Sequence, residues 1–306
     1  MSSIISHPDA LSFVGNLKKI VVASTATITF VLKKGADQIL NDNYQPGPDN
    51  LIEIDLSSII DKTLSISLPV SGLITEQVSG FADFSAIIDG TTITFRIIKG
   101  GVLELQDLAS SFVDSNFLSW QIQDKKIIQY QPEWLTVYAS SQRIVKAMAY
   151  YLDGSSAAIT LATIDANKLV SIDVSWSTIN SLLAIKNPIA WEVWFENTSG
   201  ARLSYVQRYC LRTSSEEENI FVWTNTLGGI DSISFTGSSE DDKKLEHTIA
   251  ELYDESLEEY DIDKKREITQ STGYLTIDES RWIEDFFYSS KRYIVTSDGS
   301  LKSIIL

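Results

Sequence analysis

A short internal repeat is the feature of this sequence that most constrains its fold. The pattern Ile-Asp, then Leu or Val, then Ser occurs at residues 54–57 and again at 172–175, 118 residues further along the chain. Before each copy a hydrophobic, strand-like segment ends at a glycine, Gly35 or Gly154, and another strand-like segment follows each copy. This spacing corresponds to one domain per copy and is too long for a solenoid repeat. The repeat therefore predicts two tandem β-units.

The composition favours a mainly β fold. Seven Trp, twelve Tyr and twelve Phe accompany abundant Ile, Val, Ser and Thr, and aromatic and β-branched residues are enriched in strands. At 306 residues the chain is long enough for two or three domains, each with its own core. We predict tandem β-sandwich modules followed by a C-terminal α+β domain that contains one amphipathic helix.

Breaks in the strand pattern predict the domain boundaries. Pro132 interrupts local strand pairing, and the second copy of the repeat begins beyond it. We expect a β-sandwich module at 1–130, a second, related module at 131–212, and an α+β assembly domain at 213–306.

The clearest helix signal lies in the last domain. Thr276 followed three residues later by Glu279 has the form of a capping box. Four apolar residues with helical spacing follow it: Trp282, Ile283, Phe286 and Phe287. We expect a helix that runs to about Ser289, with Trp282 and Phe286 buried on the sheet of its domain.

The charge of the chain disfavours nucleic acid as a partner. The net charge is −16, and between residues 212 and 267 sixteen acidic residues accompany only six basic ones. A phosphate backbone would be repelled by such a surface. A solvated, solubilising face is the simplest interpretation of this acidic segment.

Targeting signals are not evident in the sequence. Cys210 is the single cysteine, so no disulfide can form within the chain. The first residues lack the basic start and apolar run of a secretory signal. No apolar stretch approaches the roughly 20 residues of a membrane helix. We expect a protein made in the cytoplasm that has no membrane partner.

Residues that could carry out catalysis are scarce. His7 and His247 are the two histidines, and neither they nor Cys210 show the spacing of a zinc site or a nucleophile elbow. The glycine pairs at 100–101 and 228–229 lack the phosphate-loop pattern, and turn conformations explain them. We therefore expect no catalytic residue, no cofactor site and no metal site, and we expect that the protein is not an enzyme.

Calcium remains open as an alternative in the acidic segment. Asp261 and Asp263 are spaced like alternate ligands of a calcium loop, but the glycine and terminal glutamate of an EF-hand are missing. The carboxylates at 254–263 give no sign of the cleft that glycosidase chemistry needs.

The tryptophans do not predict a sugar-stacking platform. Trp191 and Trp194 point to opposite faces if their segment is a strand. Trp134, Trp176 and Trp223 are each flanked by apolar residues, which predicts core positions.

The last residues of the sequence predict an interaction surface. Residues 301–306 form an apolar strand after the turn at Asp298 and Gly299. Such a strand must be paired within the domain or by a neighbour. Four residues are the predicted interaction site: Leu301, Ile304, Ile305 and Leu306.

Several stretches of the last hundred residues resemble one family. Residues 223–231 and 235–237 form an asparagine, glycine-turn, aspartate and strand sequence, and residues 272–275, 278–287 and 289–294 follow it. This sequence is similar to tail-associated virion proteins of phages and prophages.

The resemblance implies a β-sandwich building block that assembles into a ring or fibre attachment in a phage tail. It implies partners in the form of further copies of the chain and other virion tail proteins, and a location in the virion. It brings no active site with it. The competing interpretation is a cell-surface adhesin or a carbohydrate-binding β-sandwich protein.

Overall fold

A computed structural model describes residues 2–102, 108–183, 186–215, 218–251 and 257–305. Within residues 243–265 it describes the backbone and, among side chains, only that of Lys244. Strands predominate over helices in these residues, so the predicted mainly β fold class is confirmed.

The first module is a β-sandwich. A five-stranded sheet has the order β2-β9-β8-β4-β5, and a three-stranded sheet has the order β1-β3-β6. A common hydrophobic core joins the two sheets to one short helix, α1. The elements are β1 Ser3–Ser6, β2 Leu11–Phe13, β3 Ile20–Ala23, β4 Ile28–Lys34, β5 Asp37–Tyr44, β6 Leu51–Ile54, α1 Ser57–Thr63, β7 Ile74–Glu76, β8 Phe81–Ile88 and β9 Thr91–Ile98.

The second module repeats this arrangement after a connecting helix, α2 (Ala109–Ser115). Its five-stranded sheet has the order β10-β16-β15-β12-β13. Its three-stranded sheet, β11-β14-β7, takes its last strand from the first module. The elements are β10 Lys125–Ile127, β11 Trp134–Ala139, β12 Arg143–Tyr150, β13 Ser156–Ile164, β14 Lys168–Asp173, α3 Trp176–Leu183, β15 Ala190–Glu196 and β16 Gln207–Leu211.

The repeated sequence pattern forms the same corner in both modules. Asp55 follows β6 and accepts a hydrogen bond from the Ser57 amide at 2.9 Å, and a helix then begins. Asp173 ends β14 and accepts from the Ser175 amide at 2.9 Å, again just before a helix. The neighbouring apolar side chains are buried in each module. The predicted tandem is therefore confirmed by the matching order of the five-stranded sheets and by a matching strand-to-helix corner, whereas the third strand of the smaller sheet pairs on opposite edges in the two modules.

One strand from the region predicted as the first module pairs with the second module. The strand Lys125–Ile127 pairs in parallel with β16 of the second module. The predicted boundary after residue 130 rests on Pro132, the strongest local break in the strand pattern. The parallel pairing is a contact between distant residues, and no local pattern indicates it.

The third module contains a four-stranded sheet of order β18-β17-β21-β22. A hairpin, a helix and a second hairpin build it, as in the first module, where the corresponding order is β5-β4-β8-β9. A long hairpin, β19–β20, is inserted before the helix. The elements are β17 Asn219–Thr224, β18 Ile230–Phe235, β19 Ser239–Glu251, β20 Leu257–Gln270, α4 Ile277–Tyr288, β21 Arg292–Val295 and β22 Leu301–Ile304.

Helix α4 forms as the capping box predicts. The Thr276 hydroxyl accepts from the Glu279 amide at 3.2 Å, and the Glu279 carboxylate accepts from the Thr276 amide at 2.8 Å. Trp282 and Phe286 are buried as predicted, whereas Phe287 is 55% exposed. The buried face of the helix also includes Asp285, and this orientation turns Phe287 towards solvent.

The three modules share one hydrophobic core. In the third module, the strand Ile230–Phe235 is buried along its whole length, so both faces of its sheet are covered. Helix α4 covers one face, and the first two modules cover the other. The shared core contains residues of all three modules and of the connecting segment: Phe13, Ile66, Ile98, Ala109, Val113, Leu118, Trp134, Tyr138, Leu169, Val222, Leu227 and Ile230.

Candidate functional site

The predicted interaction strand lies at the edge of the third module's sheet. β22 pairs with β21 in antiparallel register, with Leu301 opposite Val295 and Ile304 opposite Arg292. Leu301 packs on the shared core and Ile304 packs on the helix side of the sheet, so both are half-buried. Ile305 is 95% exposed. The fourth predicted residue, Leu306, lies outside the described residues.

Strand β7 of the first module is part of a sheet of the second module and so joins the two modules. β7 lies between α1 and β8 in the sequence, but it pairs with β14, placing Ile74 opposite Ile172. The Gln77 amide continues the pairing to the Leu169 carbonyl at 2.8 Å. The Gln77 side chain donates to the Ser171 hydroxyl at 3.0 Å. Backbone pairing of this kind fixes the relative position of the two modules.

Glycine loops fix the third module against the first. The Gly101 amide donates to the Thr226 carbonyl at 2.8 Å. A Cβ at Gly228 would overlap the carbonyl of Lys99, and one at Gly229 would overlap the carbonyl of Leu118. These glycine pairs therefore permit two backbones to touch. From the sequence, turn conformations alone explain these glycine pairs, because the contact between distant loops leaves no local sequence pattern.

Buried charges join the second module to the third. The Lys125 ammonium donates to Glu133 at 2.5 Å, and both side chains are buried. Glu133 also accepts from the Ser232 hydroxyl of β18 at 2.6 Å. Burial raises the pKa of Glu133, and the nearby Lys125 opposes this effect. Each group offsets the charge of the other, because burying either charge without its partner would cost much free energy.

Two buried carboxylates hold the tryptophans of the third module. Asp231 accepts from the Trp282 indole at 3.3 Å and from the Asn225 amide group at 2.9 Å. Asp285 accepts from the Trp223 indole at 3.2 Å. Burial raises the pKa of Asp285, against hydrogen bonds that lower it. These contacts satisfy polar groups at the junction, and they give the carboxylates a structural role.

A cleft of about 670 Å³ lies between the first and third modules. Trp120 lines it, and the indole nitrogen of this half-buried residue has no hydrogen-bond partner among the described residues. Arg281 and Tyr288 of α4 also line it, and Tyr288 is 77% exposed. The cleft therefore combines aromatic surface with a cation that forms no ion pair with any described residue.

A second cleft, of about 720 Å³, lies between the first and second modules. Arg96 crosses it and donates to both carboxylate oxygens of Asp83, at 2.6 and 2.9 Å. The same guanidinium donates to Tyr138 at 3.0 Å and to Asn167 at 2.5 Å. Its hydrogen bonds lower the pKa of Asp83. Since these contacts join residues of both modules, Arg96 acts as a bridge.

The described side chains that are candidates for metal or catalytic chemistry lie apart from one another. His7 contacts the carbonyl of Pro8, and Cys210 lies half-buried near Asp124. Within the described part of the chain, no group of His, Cys, Asp and Glu residues is arranged to hold a metal ion. The side chains of His247, Asp261 and Asp263 lie outside the described residues. No described helix is both long and apolar enough to cross a bilayer.

The tryptophan predictions agree with the structure. Trp134, Trp176 and Trp223 are buried. Trp191 is fully buried, whereas Trp194 is half-buried on the opposite face of β15. The residues that the sequence missed are those of the module junctions, above all the Lys125–Glu133 pair and Arg96.

Comparisons with known proteins give only weak similarities. No protein-family model matches the chain, and no curated protein matches it. It is similar to alpha-2-macroglobulin of Escherichia coli spanning domains NIE-MG1, with 10% identity over 66% of this chain and 93% of that one, at a TM-score of 0.22. It is similar to the I9-I11 tandem of titin, with 7% identity over 99% and 97% of the chains, at a TM-score of 0.18. SGBP-B of the Bacteroides ovatus mixed-linkage glucan utilization locus, in complex with a heptasaccharide, shares 8% identity over 79% and 63%, at a TM-score of 0.17. Similarities at these TM-scores support no argument about function.

Proposed function

We propose that this chain is a non-enzymatic structural component of a phage or prophage tail. It would be a tail, baseplate or fibre-attachment protein that associates with copies of itself and docks to other virion proteins. The observation that supports this proposal is the fusion of three modules around one shared core.

A structural role benefits from fixed distances between docking surfaces. Domains in one chain usually move relative to each other unless their interface is large and hydrophobic. Here the modules are joined by a shared core, by the pairing of β7 with β14 and by backbone contacts between the glycine loops. These contacts hold together three sheets whose last strands, β5, β13 and β22, each have a single strand partner among the described residues. Sheet edges of this kind are established sites for docking by strand addition.

The proposed partners are other copies of the chain and other tail proteins. The net charge of −16 disfavours nucleic acid. The proposed location is the virion tail, after synthesis in the cytoplasm of the bacterial host.

Particle fractionation tests the proposal. A lysate of a strain carrying the gene in its native phage or prophage would be separated on a density gradient. Each band would then be examined by mass spectrometry. We expect the protein in the particle band at a fixed ratio to the major tail protein, and lost from it when tail assembly is blocked. Recovery only among free proteins would overturn the tail proposal.

Carbohydrate binding is the second candidate, and the cleft between the first and third modules favours it. Sugar rings stack on aromatic side chains, and Trp120 and Tyr288 offer such surfaces. Arg281 supplies a donor that has no ion-pair or hydrogen-bond partner among the described residues. This candidate corresponds to a cell-surface adhesin or a carbohydrate-binding protein.

Glycan binding to the purified chain separates the two candidates. Saturable binding that Tyr288→Ala and Arg281→Ala weaken at least tenfold would support the carbohydrate-binding role. Arg208→Ala is the matched control, because Arg208 lies on β16 away from the cleft. If no glycan of a broad panel binds, the cleft no longer supports the carbohydrate-binding candidate.

A further inference from the structure

The five-stranded sheets of the first two modules end in the same way. In the first module, β2 runs parallel to β9, with Leu11 opposite Arg96 and Phe13 opposite Ile98. In the second module, β10 runs parallel to β16, with Ile127 opposite Leu211. Each added strand has three residues. Both modules thus complete their sheet with a short parallel fifth strand.

The third module has no such strand among the described residues. β22 occupies the place of β9 and β16, and its one partner in the described part of the chain is β21. The first module uses residues 11–27 for β2, β3 and their connections. Only residues 212–218 separate β16 from β17. The segment before the third module is therefore too short to supply the fifth strand.

The outer edge of β22 has backbone groups without a hydrogen-bond partner in the described part of the chain. The turn before this strand is closed by a hydrogen bond from the Thr296 amide to the Ser300 carbonyl at 2.8 Å. Since bonded and non-bonded pairs alternate along an antiparallel ladder, Leu301 and Ser303 point their N–H and C=O groups away from β21. Apolar side chains flank these groups, including the exposed Ile305.

We infer that β22 receives a fifth strand from another protein, running parallel to β22. The donor is an extended segment with apolar side chains two positions apart, as at Leu11 and Phe13 of β2. That the donor is a tail protein rests on the proposed function, whereas the binding of a strand to the edge of β22 can be tested on the purified chain. Failure of one test therefore leaves the other standing.

A second copy of the chain fits this edge less well than a different protein does. Two β22 strands related by a twofold axis would meet antiparallel, whereas both completed modules use parallel strands. The short strands available for donation by a second copy, β1, β2 and β7, are already paired with β3, β9 and β14. Donation would require one of these pairings to break.

A synthetic peptide with the sequence of residues 8–16 serves as the probe, since it contains β2. We expect saturable binding to the full chain by fluorescence anisotropy, and at least tenfold weaker binding to Ser303→Pro. This substitution removes an outward N–H without touching the bonds to β21. Ser303→Ala keeps the N–H and should bind as the unchanged chain does. A scrambled peptide should not bind. Absence of binding, or binding unaffected by Ser303→Pro, would overturn the inference.

Hydrogen exchange on the unaltered chain provides a test that does not depend on the folding of a variant. The peptide should slow exchange at the amides of Leu301 and Ser303, and unchanged exchange there would count against the inference. Strand direction follows from a quencher attached at Ile305→Cys in a Cys210→Ser background. A dye at the C-terminal end of the peptide should be quenched more strongly than one at its N-terminal end. The reverse order would contradict parallel pairing. A dimer of the chain alone that Ser303→Pro abolishes would contradict a different protein as donor.

Discussion

The first and third modules arrange four sheet strands in the same order but bury them differently. In the first module, β4 alternates at its start, with Ile28 and Phe30 buried and Thr29 exposed. In the third, the strand Ile230–Phe235 is buried at every position. The first sheet has its own three-stranded partner, whereas the third uses the other modules as its second layer. Two modules with the same strand order can therefore differ in how much of their core they supply themselves. The third module depends on its neighbours for stability.

The largest expected effect comes from separating the third module from the first. Gly228→Ala would force a Cβ into the carbonyl of Lys99, which belongs to the first module's loop. Because the obstacle is backbone, the loops must part, and we expect a loss of more than about 4 kcal/mol in the free energy of unfolding. Chemical denaturation followed by tryptophan fluorescence measures this loss.

Gly299→Ala is the matched control for that substitution. Gly299 has a φ of 81°, close to the 90° of Gly228, but a Cβ there would meet no atom within 4 Å. The control therefore has the same backbone strain without the overlap, and it should cost about 1–2 kcal/mol. Equal costs for the two substitutions would show that the glycine contact between the modules does not matter.

The buried ion pair gives the next largest effect. Lys125→Met leaves the buried Glu133 without its cation, and we expect a loss of about 3–5 kcal/mol at neutral pH. Burial already raises the pKa of Glu133, and removing Lys125 raises it further. A carboxyl group with a raised folded-state pKa favours the folded state below its unfolded value, near 4.5, and loses this contribution as pH rises.

The cost of Lys125→Met should therefore be small near pH 4 and grow towards pH 7. Denaturation curves across this range measure the trend. The double variant Lys125→Met, Glu133→Gln carries no charge at the site, so the pH dependence should disappear. A cost for Lys125→Met that does not change with pH would contradict the assignment of this effect to Glu133.

The repeat itself predicts similar effects in the first two modules. Ile54 and Ile172 precede the repeated aspartate and are both buried. Truncation to Ala should cost about 2–5 kcal/mol at each position, from lost burial and the cavity left behind. Thr29→Ala, at an exposed position of β4, should stay within about 0.5 kcal/mol of the unchanged chain. A small effect at only one of the two isoleucines would weaken the equivalence of the corners.

Local sequence was sufficient to predict the elements that short-range contacts determine. The corner after Ile54 and the cap at Thr276 each depend on partners two or three residues away. Residues 202–209 largely alternate apolar and polar side chains, but strand β16 begins only at Gln207. Propensity alone does not fix where a strand finds a partner.

The junctions between modules could not be predicted in the same way. Lys125 and Glu133 are charged residues that usually lie at a surface, and only the approach of β18 buries them. The contact of Gly228 with the loop at Lys99 joins residues more than a hundred positions apart. Edge strand β22 was predicted to be paired inside or outside the domain. The absence of a fifth strand among the described residues becomes visible only when the three sheets are compared.

The smallest expected effect tests how far the third module depends on its own local structure. Thr276→Ala removes the hydroxyl that accepts from the Glu279 amide, and we expect a loss of about 1 kcal/mol in the free energy of unfolding. Thr276→Ser keeps an acceptor and should restore most of this loss. If packing on the other modules stabilises the third module more than its local contacts do, Thr276→Ala must cost clearly less than Gly228→Ala. A cap substitution as damaging as the glycine substitution would show that α4, rather than the junction, holds the third module together.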